Sequence, residues 1–196
     1  ISIDEKTSKD TNNMRFYPQI SSKLSYPLLK SSQIINQTLT PILMPILAPY
    51  NNYTDSKVVT NSDLFSTNRA TSIVEWESGP RVNYGLEWFI GSKNNLDAKF
   101  ILGQNYKLHK DNTENNEELS DYFFNSSLTL DIGNYLNNSI IIDKDDLDVK
   151  TLTASTFNEL GDIIFAINYD YTSAKYGVPQ EQLAIGGKYN FEKNLF

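Results

Sequence analysis

The chain of 196 residues has a net charge of -7, no cysteine, 12% aromatic residues and a hydrophobic fraction of only 39%. That length holds one domain with a real core. The acidic balance argues against a general nucleic-acid binder, whose phosphate contacts need a basic face, and the missing thiols exclude a disulfide framework or a cysteine-based metal site in this stretch.

Tyr, Phe, Ile, Thr and Asn are abundant where a helical protein would carry Ala, Leu, Glu and Lys, so the expected class is all-β. No apolar run reaches the roughly 18 residues of a transmembrane helix. Spanning strands remain open, because they need only about 9–11 alternating residues and leave overall hydropathy low. The chain begins at Ile1 without an initiator Met or signal peptide and stops at Phe196 after a strand-like run, and it reads as a mature or excised piece of something longer.

In chain order, strands are expected at about 15–29, 34–48, 81–91, 96–109, 119–132, 139–144, 149–157, 162–172 and 182–191, within one segment covering 1–196. The first has weak alternation, and the second is apolar on both faces. Pro41, Pro45 and Pro49 lie in or beside the second, which should therefore be bulged, at an edge or shorter than its apolar run. The long polar stretch 49–80 follows. In the third strand Val82, Tyr84, Leu86, Trp88 and Ile90 oppose Arg81, Asn83, Gly85, Glu87 and Phe89; in the fourth Phe100, Leu102, Tyr106 and Leu108 share a face.

Further on, Phe124, Leu128 and Leu130 fall on one face with Tyr122 and Ile132, and Ile163, Phe165 and Ile167 on one face with Tyr169 and Tyr171. Leu183, Ile185, Gly187, Tyr189 and Phe191 close the series. Short turns are expected at 92–95, 133–137 and 158–161, and longer polar loops at 49–80, 110–118 and 173–180. Long and short connections at opposite ends of an up-and-down antiparallel meander are the plan of a transmembrane barrel. About nine strands is an odd count, which suits an arc of a large outer-membrane β-barrel better than a whole one.

Asp63-Leu64-Phe65-Ser66-Thr67-Asn68-Arg69, then Gly79, then Arg81-Val82-Asn83-Tyr84-Gly85-Leu86, resembles the loop-and-strand signature of the LPS-assembly protein LptD family, especially its alphaproteobacterial forms. Arg15-Phe16-Tyr17-Pro18-Gln19, Tyr26-Pro27-Leu28, Leu39-Thr40-Pro41, Leu47-Ala48-Pro49 and Gly103-Gln104-Asn105-Tyr106 are similar to the same family in the same order. Ala70, Ser72, Val74 and Glu75 depart from its usual loop residues. The resemblance covers about Arg15 to Tyr189 and a middle section of the family's C-terminal barrel domain.

The resemblance implies a non-enzymatic translocon of the Gram-negative outer membrane, with no cofactor. Its partners would be lipopolysaccharide, an LptE-like plug lipoprotein, a periplasmic LptA-like bridge reached through another domain, the barrel-assembly machinery and outer-membrane lipids, and not nucleic acid. Lipopolysaccharide would leave through a lateral opening between the barrel's first and last strands, which this segment is not expected to contain. Val82, Tyr84, Leu86, Trp88, Phe100, Leu102, Phe124, Leu128, Leu130, Ile163, Phe165, Ile167, Leu183 and Ile185 would then face lipid. The stretch 49–80 would form an outer lid. Alternatives are another outer-membrane barrel, such as a porin or TonB-dependent receptor, or a soluble glycan-binding β-sandwich.

Other features are read more plainly. His109, the single histidine, is a strand-end residue without evident catalytic or metal partners. Asp143-Lys144-Asp145-Asp146-Leu147-Asp148 lacks the glycine and closing glutamate of a calcium loop and reads as a polar hairpin loop; no metal site is expected. Ile185-Gly186-Gly187-Lys188 sits inside an alternating strand and lacks a phosphate loop's spacing. Trp88, Tyr106, Tyr122, Tyr169, Tyr171 and Tyr189 would suit an interfacial aromatic girdle. Arg69 and Arg81 could pair with Asp63, Glu75 or Glu77 to tie the long loop down, with Phe65 and Trp76 packing it.

Overall fold

Residues that alternate in polarity every second position can bury or expose one face only as strands. The computed structural model is accordingly all-β among the residues it describes, which are 18–50, 64–67, 77–93, 96–108, 118–131, 133–175 and 177–189. The elements are β1 (Ile20–Ser21), β2 (Leu24–Ser25), β3 (Leu28–Ser31), β4 (Ile35–Leu47), β5 (Arg81–Ser92), β6 (Asp97–Lys107), β7 (Tyr122–Asp131), β8 (Asn134–Ile142), β9 (Val149–Leu160), β10 (Ile163–Thr172) and β11 (Gln180–Tyr189). They form one antiparallel sheet in which β4 to β11 pair in sequence order and β1, β2 and β3 all pair with β4. The sheet does not close on itself. It is an arc, with long connections at one end and short ones at the other.

β1, β2 and β3 keep one register against β4, from Ile20 opposite Leu47 through Leu24 opposite Leu43 to Ser31 opposite Asn36. They are one extended edge interrupted twice, so the arc is nine strands wide, in line with the sequence pattern. The interruptions trace to prolines on the partner. Ser22 and Tyr26 donate N–H bonds to the carbonyls of Pro45 and Pro41, each at 3.2 Å, and neither proline has an N–H to return. β4 itself departs from expectation: its thirteen residues run unbroken into β5, from Ile35 opposite Ser92 to Ile46 opposite Arg81. Proline is tolerated there because the lost donors point at the other neighbour.

Other boundaries move by a few residues for local reasons. The strand expected at 139–144 begins at Asn134, because Asn134, Asn137 and Asn138 pair in the ladder and the turn is confined to the residues around Gly133, whose φ is 92°. β9 runs on to Leu160, and a two-residue turn at Gly161-Asp162 joins it to Ile163. Gly161, with φ 65°, is the residue type that a hairpin turn with a left-handed first position requires. The predicted strands 15–29 and 119–132 begin in the structure at Ile20 and Tyr122.

Register separates the two faces. One carries Leu86, Leu102, Phe124, Ile140 and Leu152 across successive strands, and beside them Ile90, Ala98, Leu128 and Leu136, continuing to Ile167 and Ile185. The other carries Asn125, Ser139, Thr153, Asp170 and Gln182 in one row and Lys99, Ser127, Asn137, Ser155 and Asn168 in the next. We call these the apolar and polar faces. The separation is not absolute: Phe89, Ile101 and a stacked Tyr135–Phe157 pair, centroids 5.6 Å apart and planes at 11°, lie on the polar face. On the apolar face, Asn138 donates to Ser126 and Asn158 to Thr156, so the polar groups there satisfy one another.

A water-soluble sheet would cover its apolar rows. Here Leu86, Trp88, Leu102, Ile163, Leu183 and Ile185 are 41–71% exposed, whereas the most buried cluster, Ile42, Met44, Ile46, Leu64, Arg81, Asn83, Asn105 and Phe123, lies on the polar face. Leu64, from the connection between β4 and β5, is seated in that cluster against Asn83 and Gly103.

Candidate functional site: a loop seated on the polar face

The loop returns to the sheet because β5 opens with Arg81 and Asn83, two side chains on the polar face with more donors than the ladder can use. Asn83 Nδ2 donates to the Leu64 carbonyl at 2.7 Å, while its Oδ1 accepts from Asn105 Nδ2 of the adjacent strand at 2.5 Å. Arg81 donates through Nη2 to the Thr67 carbonyl at 2.5 Å and through Nη1 to the carbonyls of Glu77 and Gly79 at 3.0 and 3.2 Å. Its Nε lies 3.3 Å from Glu77 Oε2, and both side chains are nearly sealed from solvent. Five donors in a rigid fork suit Arg to this multiple grip. A buried carboxylate is tolerable beside it because the opposite charge compensates the desolvation.

Steric fit complements the polar grip. Leu64 is 2% exposed, and its Cδ2 stands 2.5 Å from where a Cβ on residue 103 would be, so only glycine leaves room for it. Gly85 is directly opposite Gly103, and a Cβ there would lie 2.8 Å from the Gly103 Cα. At the loop's other end Gly79, with φ 82°, donates its N–H to the Pro49 carbonyl at 3.1 Å and packs against the Tyr50 ring. Gly79 thus serves a turn, and the Gly85–Gly103 pair a close approach.

The next loop is tied to the same strands. Ser120 Oγ accepts from the Asn105 backbone N–H at 2.8 Å, the Ser120 carbonyl accepts from Gln104 Nε2 at 3.0 Å, and Tyr84 OH donates to Gln104 Oε1 at 2.9 Å. Asn105 therefore meets the second long connection directly and the first through Asn83. Farther along the same end, Lys150 bridges Asp121 and Asp143 at 2.8 and 3.0 Å, and Asp143 Oδ1 accepts the backbone N–H groups of Asp145 and Asp146. Lys175 pairs with Asp146, joining the 143–148 turn to the 173–179 connection. Lysines, rather than a cation-sized gap, stand among these carboxylates, and no metal-holding group occurs among the described residues.

Of the predicted motif, Leu64, Phe65, Ser66, Gly79, Arg81, Asn83, Tyr84 and Gly85 converge on this corner, with Tyr84 turned to the apolar face. Asp63, Asn68 and Arg69 lie outside the described residues, as do Glu75, Trp76 and His109. Of the expected loop ion pairs, Arg81–Glu77 forms. The contributions of Gly103, Gln104, Asn105 and Ser120 were not foreseen, although Gly103-Gln104-Asn105-Tyr106 already stood out as a motif. A glycine followed two residues later by Asn on a polar strand face was the available signal.

Register sets Val82, Tyr84, Leu86, Trp88, Phe100, Leu102, Phe124, Leu128, Ile163, Phe165, Ile167, Leu183 and Ile185 on the one apolar face, and Leu130, beside the irregularity after Thr129, is half exposed. Among the aromatics, Tyr106, Tyr122, Tyr169 and Tyr171 lie toward the long-loop end and Tyr189 toward the short-turn end. Trp88 stands farther into the strand, against Phe100 at 5.6 Å. Ile185-Gly186-Gly187-Lys188 is ladder throughout.

Among the described residues the arrangement is a sheet face on which residues 64–67 and 77–80 are seated. A search of curated proteins finds no match to the chain. The family model for LptD, LPS transport system D, matches residues 2–195, and with its all-β arc and seated signature loop the chain belongs to that family.

Proposed function

We propose that the chain is a stretch of outer-membrane barrel wall in a lipopolysaccharide translocon, with its apolar face toward lipid and its polar face toward an enclosed passage. LPS transport is the family's work, and the family is not one of enzymes. The observation that carries the reading is the inverted burial: Leu86, Trp88, Leu102, Ile163, Leu183 and Ile185 stand exposed on one face while Arg81, Asn83 and Asn105 are buried on the other. Hydrocarbon rewards that inversion and water penalises it. Strands of nine to thirteen residues between β4 and β11 have the reach, since ten residues rise about 33 Å and a tilt near 45° matches a band of roughly 25 Å.

In this role the loop from β4 to β5 narrows the passage at the long-loop end, which would face outward. The polar rows would line the route of a sugar-rich head group and supply contacts to a plug lipoprotein of the LptE kind. A periplasmic LptA-like bridge and the barrel-assembly machinery would be met by other parts of the assembly. The inverted burial disfavours the soluble glycan-binding sandwich, and the family match disfavours a porin or TonB-dependent receptor.

Two measurements test this. Circular dichroism of the purified protein should show a β spectrum only with detergent or vesicles; a cooperative monomeric β fold in plain buffer would refute the wall. Depletion in cells should lower lipopolysaccharide at the surface, and undiminished display would refute the transport role.

A further inference from the structure

Along much of the polar face side chains satisfy one another: Asn105 donates to Asn83, Ser139 donates to Asn125 at 2.7 Å, and Lys99 lies 3.0 Å from Glu87. Toward the short turns, between β8 and β10, they do not. Asn137, Ser155 and Asn168 stand in one row across these three strands, and among the described residues their side chains have no hydrogen-bond partner. Each leaves donors and acceptors to whatever fills the space in front of it.

The next row toward the turns holds the stacked pair, Tyr135 on β8 directly opposite Phe157 on β9, with centroids 5.6 Å apart and planes at 11°. A cross-strand aromatic pair steadies a ladder by itself. It does not account for what lies beyond it. On its other side Phe157 is opposite Ala166, and Ala166 is opposite Gly186, where an added Cβ would meet nothing within 4 Å. Neither residue has the reach to cover a ring, and Tyr135 is itself 40% exposed. The row therefore makes an aromatic step above a floor of backbone and one methyl group. Two amides and a hydroxyl run along one side of it, one pleat repeat or about 7 Å away.

Charge narrows what fits there. Between β7 and β11 neither row carries a cation or an anion, and in the row nearer the turns Glu159 and Lys188 are opposite in sign. A phosphate would find no fork of cationic donors. An apolar chain would leave the amides unsatisfied. A pyranose ring meets both demands, because one of its faces is C–H and its rim is hydroxyl. We infer that this corner is a subsite for an uncharged sugar ring of the lipopolysaccharide head group, stacked on Phe157 and hydrogen-bonded by Asn137, Ser155 and Asn168. The inference rests on the reading of the polar face as the lining of the passage, and it adds which part of the head group is held and where. Contacts so few and so exposed give weak binding, on the order of 1 mM, which suits a site that its ligand must leave.

Saturation-transfer NMR on the purified protein in lauryldimethylamine oxide micelles tests it, with deacylated and dephosphorylated lipopolysaccharide oligosaccharide as the ligand. Transfer to the sugar C–H protons is expected. Phe157→Leu keeps an apolar side chain but no flat ring and should weaken binding about five-fold, while Phe157→Tyr should leave it unchanged. Asn137→Ala with Asn168→Ala should weaken it about ten-fold. Heat-modifiable mobility reports that each variant is folded. If Phe157→Leu does not assemble, Gly186→Leu decides the matter, because it fills the open floor without altering the aromatic pair, and transfer should be lost.

No transfer in the parent protein, transfer unmoved by these variants, or binding only when the phosphates are retained would each overturn the subsite. Any of these results from protein folded in micelles leaves the barrel wall standing. A cooperative monomeric fold in plain buffer would instead sink the wall, and this proposal with it.

Discussion

Leu102→Lys separates a lipid-facing sheet from a water-facing one. Leu102 lies on β6 with Leu86 and Phe124 as its cross-strand neighbours and is 46% exposed. In water, a half-exposed surface leucine exchanged for lysine changes stability by no more than about 0.5 kcal/mol. In a bilayer, a lysine on the lipid face costs about 2–4 kcal/mol near the midplane and about 0–1 near the interfaces. Leu102 sits five residues inside the Lys107 end and five inside the Asp97 end of its strand, so the larger figure applies. That corresponds to roughly a thirty- to thousand-fold loss in the folded-to-unfolded ratio.

Thr153→Lys is the matched control, since Thr153 is exposed on the polar row with Ser139 and Asp170. A charge facing a water-filled passage should be tolerated. The assay is urea titration of the protein reconstituted in vesicles, with the folded fraction read by heat-modifiable mobility and protease resistance. The expected result is a large loss for Leu102→Lys and a shift below about 1 kcal/mol for Thr153→Lys. Equal and small effects would refute the assignment of faces, and a larger loss for Thr153→Lys would reverse it.

Other expectations concern the loop. Asn83→Ala strips partners from the buried Leu64 carbonyl and Asn105 amide, at about 1–3 kcal/mol per orphaned group, so a thiol at Leu64→Cys, protected while the loop is seated, should react with maleimide at least about ten-fold faster; an unchanged labelling rate would count against the seat. Glu77→Gln removes the carboxylate 3.3 Å from Arg81 Nε in a nearly sealed site and should destabilise by about 3–5 kcal/mol, shown by a lower urea midpoint than the parent protein. Gly103→Ala places a methyl 2.5 Å from Leu64 Cδ2 and against the strand backbone, and should release the loop to proteolysis while Gly186→Ala, where nothing lies within 4 Å, should not. On the apolar face, Asn138→Ala alone should destabilise more than Asn138→Leu combined with Ser126→Ala, measured as vesicle urea midpoints, because the double change leaves no polar group without its partner.

Much of this architecture is legible one strand at a time. Alternation across 81–91 or 162–172 requires only that each strand have two unlike faces, and the short turn at Gly161-Asp162 begins on the glycine that marks it. Strand type, approximate count, the up-and-down order and the resemblance of Asp63–Leu86 to a family signature therefore follow from local chemistry. Boundaries such as Asn134 do not, because Asn serves a turn or a ladder equally well and the neighbouring strand chooses between them.

Tertiary structure decided what depends on several strands at once. Whether Pro41 and Pro45 break β4 or its neighbour turns on which way a missing N–H points, and that direction is set by register. That Leu64 needs Gly103, and that Asn83, Asn105 and Ser120 form one chain of bonds between two loops, involves residues 15 to 39 positions apart that only strand pairing makes adjacent. The sequence alone determined a two-faced β meander of the LptD kind, because period and turn chemistry are local. Only the fold decided that its sealed core is a loop seat on the polar face, because burial is a property of neighbours and not of residues.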